Sequence, residues 1–165
     1  TEAMVRTIEA CKGYHACKVL AVDQMTISNA STEIPRAIPR LVATHGAAWT
    51  YSLAINDAYF DAMNFPLRDA KRTDILNVSA GDGSAKALSR IAWGQSQQLA
   101  TVAEPLKMQG YQLADELNRA FAGEAPSGFV TTPVLVTHGL LKAMGTSDIE
   151  SAIGFEAAYR AIWKR

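Results

Sequence analysis

The chain has 165 residues, 16 basic and 16 acidic side chains, and a hydrophobic fraction of 48%. That length suits one domain able to bury roughly 70% of its unfolded surface. The even charge leaves no basic stripe for nucleic acid. No apolar run reaches the roughly 18 residues of a membrane span, and Thr1-Glu2-Ala3-Met4-Val5 carries neither the charged nor the apolar part of a signal peptide.

Taken in order, the pattern alternates helix and strand. Glu2 to Lys12 interleaves Ala3, Val5, Ile8 and Ala10 with charge, and Gly13 closes this first helix. Cys11 and Cys17 flank the next turn. Two readings stand for them: a disulfide formed in an oxidising compartment, or two reduced, mostly buried thiols. The pair lacks the further ligands that zinc needs. Lys18 to Val22 is expected as a strand and Glu33 to Thr44 as a helix, with Pro35 in its first turn and Pro39 as a kink. Trp49 to Ile55 is the next strand and Asp57 to Met63 the next helix, with Asp57 in the N-cap or first-turn role. Asn64 to Thr73, carrying Pro66, is expected as a loop. Asp74 to Ser79 is a strand, and Ser84 caps a helix to Trp93.

Leu99 to Ala103 is a strand, and Pro105 opens a helix that runs to Ala122 before Gly123. The loop Gly123 to Gly128 is a crossing or mobile turn, and Val134 to Val136 a last short strand. A helical tail from Ser147 to Trp163 opens on Ser147-Asp148-Ile149-Glu150, a capping-box spacing. Strands alternating with helices of this length predict an α/β fold, a parallel sheet flanked by helices.

Three segments carry the functional signal: Ala54-Ile55-Asn56-Asp57-Ala58, Asp82-Gly83-Ser84, and Leu99-Ala100-Thr101-Val102-Ala103-Glu104-Pro105. Each runs from a strand into a polar residue and then a helix. Ligands of open parallel sheets bind beyond the carboxyl ends of the strands. Asn56, Asp82 and Glu104 are therefore the candidate ligand-binding residues. Asn56 offers donors and an acceptor from one amide. Proline after Glu104 keeps that residue extended at the strand tip. Of the nearby aromatics Trp49, Tyr51, Tyr59 and Phe60, most belong to the core, and one could stack on a sugar ring. No nucleophile and base stand near the trio, so no catalytic residue is assigned, and no metal or cofactor. His15, His45 and His138 are surface or capping residues. Gly81-Asp82-Gly83-Ser84-Ala85-Lys86 has the strand-to-helix context of a phosphate loop. It lacks that loop's glycine and lysine spacing.

Together these segments resemble the carboxyl-terminal half of the type I periplasmic binding proteins, the ribose-binding and related sugar-binding components of ABC importers. The helix residues Ala87, Leu88 and Ile91, the run Met108, Gly110 and Tyr111, and the closing Val134-Leu135-Val136-Thr137 extend the resemblance over most of the chain. It implies two α/β lobes with ligand in the cleft between them. It also implies that Asn56, Asp82 and Glu104 bind a sugar or polyol from the second lobe and its hinge. Residues 1–104 would then be that lobe without its first strand, 105–130 a segment of the first lobe, and 131–165 a return strand and helical tail. The further implications are export to the periplasm, a membrane permease as partner, and a missing amino-terminal lobe or a second copy as the opposite wall. Two departures stand out. Glu104 replaces the usual glutamine or asparagine, and Gly81 replaces a bulky residue, which would open one wall of the pocket. Two alternatives remain: the effector-binding domain of a lac-repressor-type regulator, which shares the fold, and an enzyme with a nucleotide or methyl-donor site at Gly81 to Lys86.

Overall fold

A computed structural model describes residues 1–12, 17–150 and 153–163. Its centre is a four-stranded sheet in the order β1 (Tyr51–Ala54), β2 (Leu76–Ser79), β3 (Gln98–Ala103), β4 (Val134–Thr137). β1, β2 and β3 are parallel, with Ala54 opposite Ser79 and Ser79 opposite Thr101. β4 runs antiparallel to β3, pairing Thr101 with Val136. The register brings the carboxyl ends of the three parallel strands to one edge, and the α/β architecture expected from the alternating pattern is present.

The helices are α1 (Glu2–Glu9), α2 (Ala30–His45), α3 (Ala58–Asp61), α4 (Asn64–Asp69), α5 (Ala85–Trp93), α6 (Leu106–Ala122), α7 (His138–Met144) and α8 (Phe155–Trp163). One core cluster joins Ile34 and Ile38 of α2 to Trp49, Phe60, Met63, Leu67 and Ile75. A second joins Leu88 and Ile91 of α5 to Ala103, Val136 and Leu141. Both lie on the sheet face of Ala54, Ser79, Thr101 and Ala103. On the opposite face Tyr51, Leu53 and Leu135 are exposed. Parallel sheets usually have both faces covered, and here the helices pack mainly on one.

Several expectations need correction. Lys18–Val22 joins no strand ladder, although Leu20 packs on the first core. A short apolar run becomes a strand only where a neighbouring edge accepts its hydrogen bonds. α2 begins at Ala30, so Pro35 and Pro39 both lie inside it. Both are exposed, while the flanking Ile34 and Ile38 of the same helix are buried. The expected loop from Asn64 is instead α4. Pro66 is its third residue, where the missing N–H has no helical partner to lose. α7 has no counterpart among the expected elements. Thr137 caps it by accepting from the Leu140 N–H at 3.2 Å. The first helix ends at Glu9, short of Lys12, and Gly13, its expected stop, lies outside the described residues. Cys11 and Cys17 are joined as a disulfide, with Cα atoms 5.7 Å apart.

The tail is not one helix from Ser147. Gly154 has φ +70°, a left-handed conformation that interrupts it, and only α8 is helical beyond. Glu150 does not close a capping box on its own segment. Its carboxylate instead accepts from the Lys107 and Met108 N–H groups at 3.2 and 2.9 Å. It thereby caps α6, whose own N-cap position, Pro105, makes no side-chain cap.

α8 docks on α6 through rings. Trp163 stacks on Tyr111 with centroids 5.5 Å apart, and Phe155 meets Tyr111 edge-on at 5.3 Å. The Trp163 indole N–H donates to Asp115 at 3.0 Å, and Arg119 donates to its other oxygen at 3.0 Å. A stripe on α6, comprising Leu106, Leu113, Leu117 and Phe121, stays exposed.

The Trp163 N–H, and after it Arg119, hold the Asp115 carboxyl below its ordinary range. A carboxyl depressed by folding contributes stability that is full above its unfolded value and lost as pH falls through the folded one. Acidification should therefore release the Trp163 indole only below about pH 4. The indole N–H resonance in an NMR pH titration reads this. A midpoint near neutrality, or an unchanged titration in Asp115→Asn, would refute the assignment.

Candidate functional site

Asn56, Asp82 and Glu104 lie two, three and one residues beyond the ends of β1, β2 and β3. Asn56 and Asp82 meet directly. The Asn56 amide donates from Nδ2 to Asp82 Oδ2 at 3.0 Å. Its Oδ1 accepts from the Ala58 N–H at 2.9 Å, which fixes the side chain at the start of α3. Asn56 is thus held by two bonds rather than free to swing. Glu104 sits at the third strand end and accepts from Gln109 Nε2 at 3.0 Å, an amide that also reaches Thr131 Oγ1 at 3.0 Å. It has no hydrogen bond to Asn56 or Asp82. Among the described residues neither Asp82 nor Glu104 forms an ion pair, so both carboxylates keep acceptor capacity toward solvent.

What lies beneath the rim differs from expectation. Asp57, expected as an N-cap, makes no cap bond to α3. It is 1% exposed, and its carboxylate turns inward to accept four hydrogen bonds. Oδ1 takes the Ser79 hydroxyl at 2.5 Å and Gln98 Nε2 at 2.9 Å. Oδ2 takes the backbone N–H groups of Gly83 and Ser84 at 2.9 and 3.0 Å. The available signal was the paired polar residues on β2 and β3. Ser79 and Gln98 occupy positions that a wholly apolar sheet face would fill with branched aliphatics.

These bonds bear on the phosphate-loop alternative. The N–H groups of Gly83 and Ser84 are the donors such a loop would aim at a phosphate, and both are spent on Asp57. Ser84 Oγ accepts from the Ala87 N–H at 3.2 Å, in the expected cap. Lys86 reaches Asp61 at 3.6 Å across the protein surface. Among the described residues no group of His, Cys, Asp and Glu is arranged to hold a metal.

Gly81 does not open a pocket wall. A Cβ there would lie 2.7 Å from the Asp57 nitrogen and 2.8 Å from Asn56 Cα. Its absence lets the Asp82 turn lie directly on the Asn56–Asp57 backbone. The same turn presses on the next strand, where a Cβ on Gly83 would meet the Ala103 Cβ at 2.6 Å.

The remaining sequence candidates fall elsewhere. Trp49 and Phe60 are core residues, and the Tyr59 hydroxyl donates to the Met25 carbonyl at 2.8 Å. Tyr51 is exposed but begins β1, at the opposite end of the strand from the rim. His138 Nδ1 lies 3.2 and 3.1 Å from the carbonyls of Ile91 and Ala92, at the end of α5. This is the expected capping role. His45 ends α2, and His15 lies outside the described residues. A shallow groove of about 280 Å³, lined by residues including Asp23, Met25, Arg36 and Arg40, contains none of the rim trio.

Gly81→Ala should destabilise the protein by about 1–3 kcal/mol, because the added methyl meets backbone rather than a movable side chain. It should also shift the amide resonances of Asn56 and Asp82. Denaturant unfolding checks the first effect and an NMR amide spectrum the second. A neutral substitution would mean that the turn does not rest on Asn56.

Compared with sequence profiles of known protein families and with curated proteins, the chain matches none.

Proposed function

We propose that this chain is a solute-binding lobe of the type I periplasmic binding protein kind. It would serve an ABC importer by binding a sugar or polyol, and it would not be an enzyme. The observation that carries the reading is the hydrogen-bonded Asn56–Asp82 pair at adjacent strand ends, with Glu104 at the third. Hydroxyl-rich ligands need several fixed acceptors and a donor on one rim. Asp82 and Glu104 accept from ligand hydroxyls, and ionised acceptors make the stronger bonds. The second N–H of the Asn56 amide donates back.

The Asn56–Asp82 contact pre-orients both groups, which lowers the ordering cost of binding. The occupied N–H groups of Gly83 and Ser84 argue against a nucleotide at the same turn. The Cys11–Cys17 disulfide favours an exported binder in the periplasm over a cytosolic regulator. The rim is one wall. In this reading a second lobe or a second copy closes over the ligand by a hinge, and a membrane permease recognises the closed form.

An NMR titration of the chain with D-ribose, D-xylose, D-glucose and sorbitol tests the proposal. At least one compound should shift the amides of Asn56, Asp82 and Glu104. Without an opposing wall the affinity should be weak, in the millimolar range. Asp82→Asn should weaken it about tenfold or more, through loss of a charged acceptor. Silence at the rim up to about 100 mM, where a free energy of only ~1.4 kcal/mol would register, sinks the proposal. So would ATP shifting Gly81 to Lys86 while the sugars do not.

A further inference from the structure

The rim pair is held from below, and the holding group has a fixed hydrogen-bond polarity. Arg90 Nη1 pairs with Asp61 at 2.6 Å, and Arg90 Nε donates to Gln98 Oε1 at 2.9 Å. A guanidinium can only donate. The Gln98 amide therefore cannot flip, and its Nε2 must face inward. That nitrogen donates to Asp57 Oδ1 and to Ser79 Oγ, at 2.9 and 3.0 Å. The Ser79 hydroxyl in turn donates to Asp57. The other Asp57 oxygen meets two backbone N–H groups, which also can only donate. All four partners donate to Asp57, and three of them, Gln98 Nε2 and the two backbone N–H groups, can do nothing else, so a group at position 57 must accept from those three. A buried donor facing another donor loses its bond and stays unsatisfied.

The residues anchored in this way flank the rim. Asn56 directly precedes Asp57, and Asp82 directly precedes Gly83 and Ser84. A single carboxylate spans the β1–α3 and β2–α5 turns, and the Asn56–Asp82 bond lies across the top of that span.

We infer that Asp57 is a positioning residue: its buried carboxylate, oriented through Gln98 by Arg90, sets the geometry of the Asn56–Asp82 pair. The consequence for ligand recognition rests on the reading of that pair as a ligand wall, whereas the positioning itself does not. What must be conserved in this role is the direction of the hydrogen bonds rather than the charge at position 57. The polarity can therefore be rewired by the double substitution Asp57→Asn with Gln98→Glu. The amide oxygen introduced at position 57 would accept from Gly83 and Ser84. The amide nitrogen beside it would donate to the carboxylate introduced at position 98, and that carboxylate would still accept from Arg90.

The test uses the intact chain and three NMR readouts: amide hydrogen exchange at Gly83, exchange at Ser84, and the Asn56 side-chain NH₂ shifts. In the wild type the two backbone amides should exchange slowly although their turn lies at the surface. Asp57→Asn alone should speed both by about tenfold or more, with much smaller changes in the β2 and β3 ladders. It should also move the Asn56 NH₂ signals. The double variant should restore all three. A purely volume-filling role would predict no such rescue, since both single changes are already nearly isosteric. Fast exchange of Gly83 and Ser84 in the wild type overturns the inference even if the variants fail to fold. So does unchanged exchange in Asp57→Asn, or a folded double variant that behaves like the single one. None of these readouts involves a sugar, so they fail or succeed separately from the proposed function.

Discussion

A carboxylate buried without a cation in contact is tolerated only when hydrogen bonds replace the water it has lost. Asp57 meets that requirement with donors from three places: the Ser79 hydroxyl on β2, the Gln98 amide on β3, and two backbone N–H groups at the mouth of α5. These bonds tie the ends of β1 and β2 to β3. They make the polar centre of the covered sheet face a joint rather than a defect. The apolar clusters lie on either side of it, one under α2, α3 and α4, the other under α5 and α7. Hydrophobic burial supplies most of the driving force for folding, but it is non-directional and cannot set where a turn sits to within a few tenths of an ångström. The Asp57 bonds can.

The centre has gaps as well. The amide of Asn77 and the hydroxyl of Thr101 are fully buried and have no hydrogen-bond partner among the described residues. Both flank the Asp57 network on the same sheet face, since Asn77 pairs with Gln98 and Ser79 with Thr101. A polar sheet face is costly where its bonds are incomplete. Its presence beneath the rim, rather than in the apolar clusters, fits a fold that gives up some packing to hold one edge in place.

Further along the chain, other charged groups join segments distant in sequence. Glu150, in the turn beyond α7, caps α6, and Asp115 holds the end of α8 through Trp163. Arg72 joins the turn after α4 to the carbonyls of Gly46 and Trp49 at 2.6 Å each, and pairs with Asp74 at 2.8 Å. In each case a charged group satisfies backbone or indole atoms that regular structure leaves over. Arg72 thus holds the amino ends of β1 and β2, while Asp57 holds the carboxyl-end turns. Tyr51, Leu53 and Leu135 on the opposite sheet face, and the α6 stripe of Leu113, Leu117 and Phe121, remain exposed.

Most of the helices and strands were legible because their signals are local. Ser84 before an amphipathic run, Gly123 after one, and alternating apolar strands depend on residues close in sequence. Asn56, Asp82 and Glu104 were legible for the same reason, each being the polar stop at the end of a strand. Pro66 misled because proline in a first helical turn looks the same in sequence as proline in a loop. Lys18–Val22 misled because a strand needs a neighbour, and periodicity does not reveal whether one is present.

The sequence by itself determined most of the alternation of elements, the α/β class and the placing of Asn56, Asp82 and Glu104 just beyond strand ends. Tertiary structure alone decided which of them touch, that Asp57 faces inward rather than capping α3, that Gly81 closes space rather than opening it, and that Glu150 serves a helix more than 40 residues away in sequence. The reason is physical. Caps and periodicities are set within one turn or one strand. The partners of a buried carboxylate come from segments 22 to 41 residues apart, and only the closed sheet brings them within bonding distance.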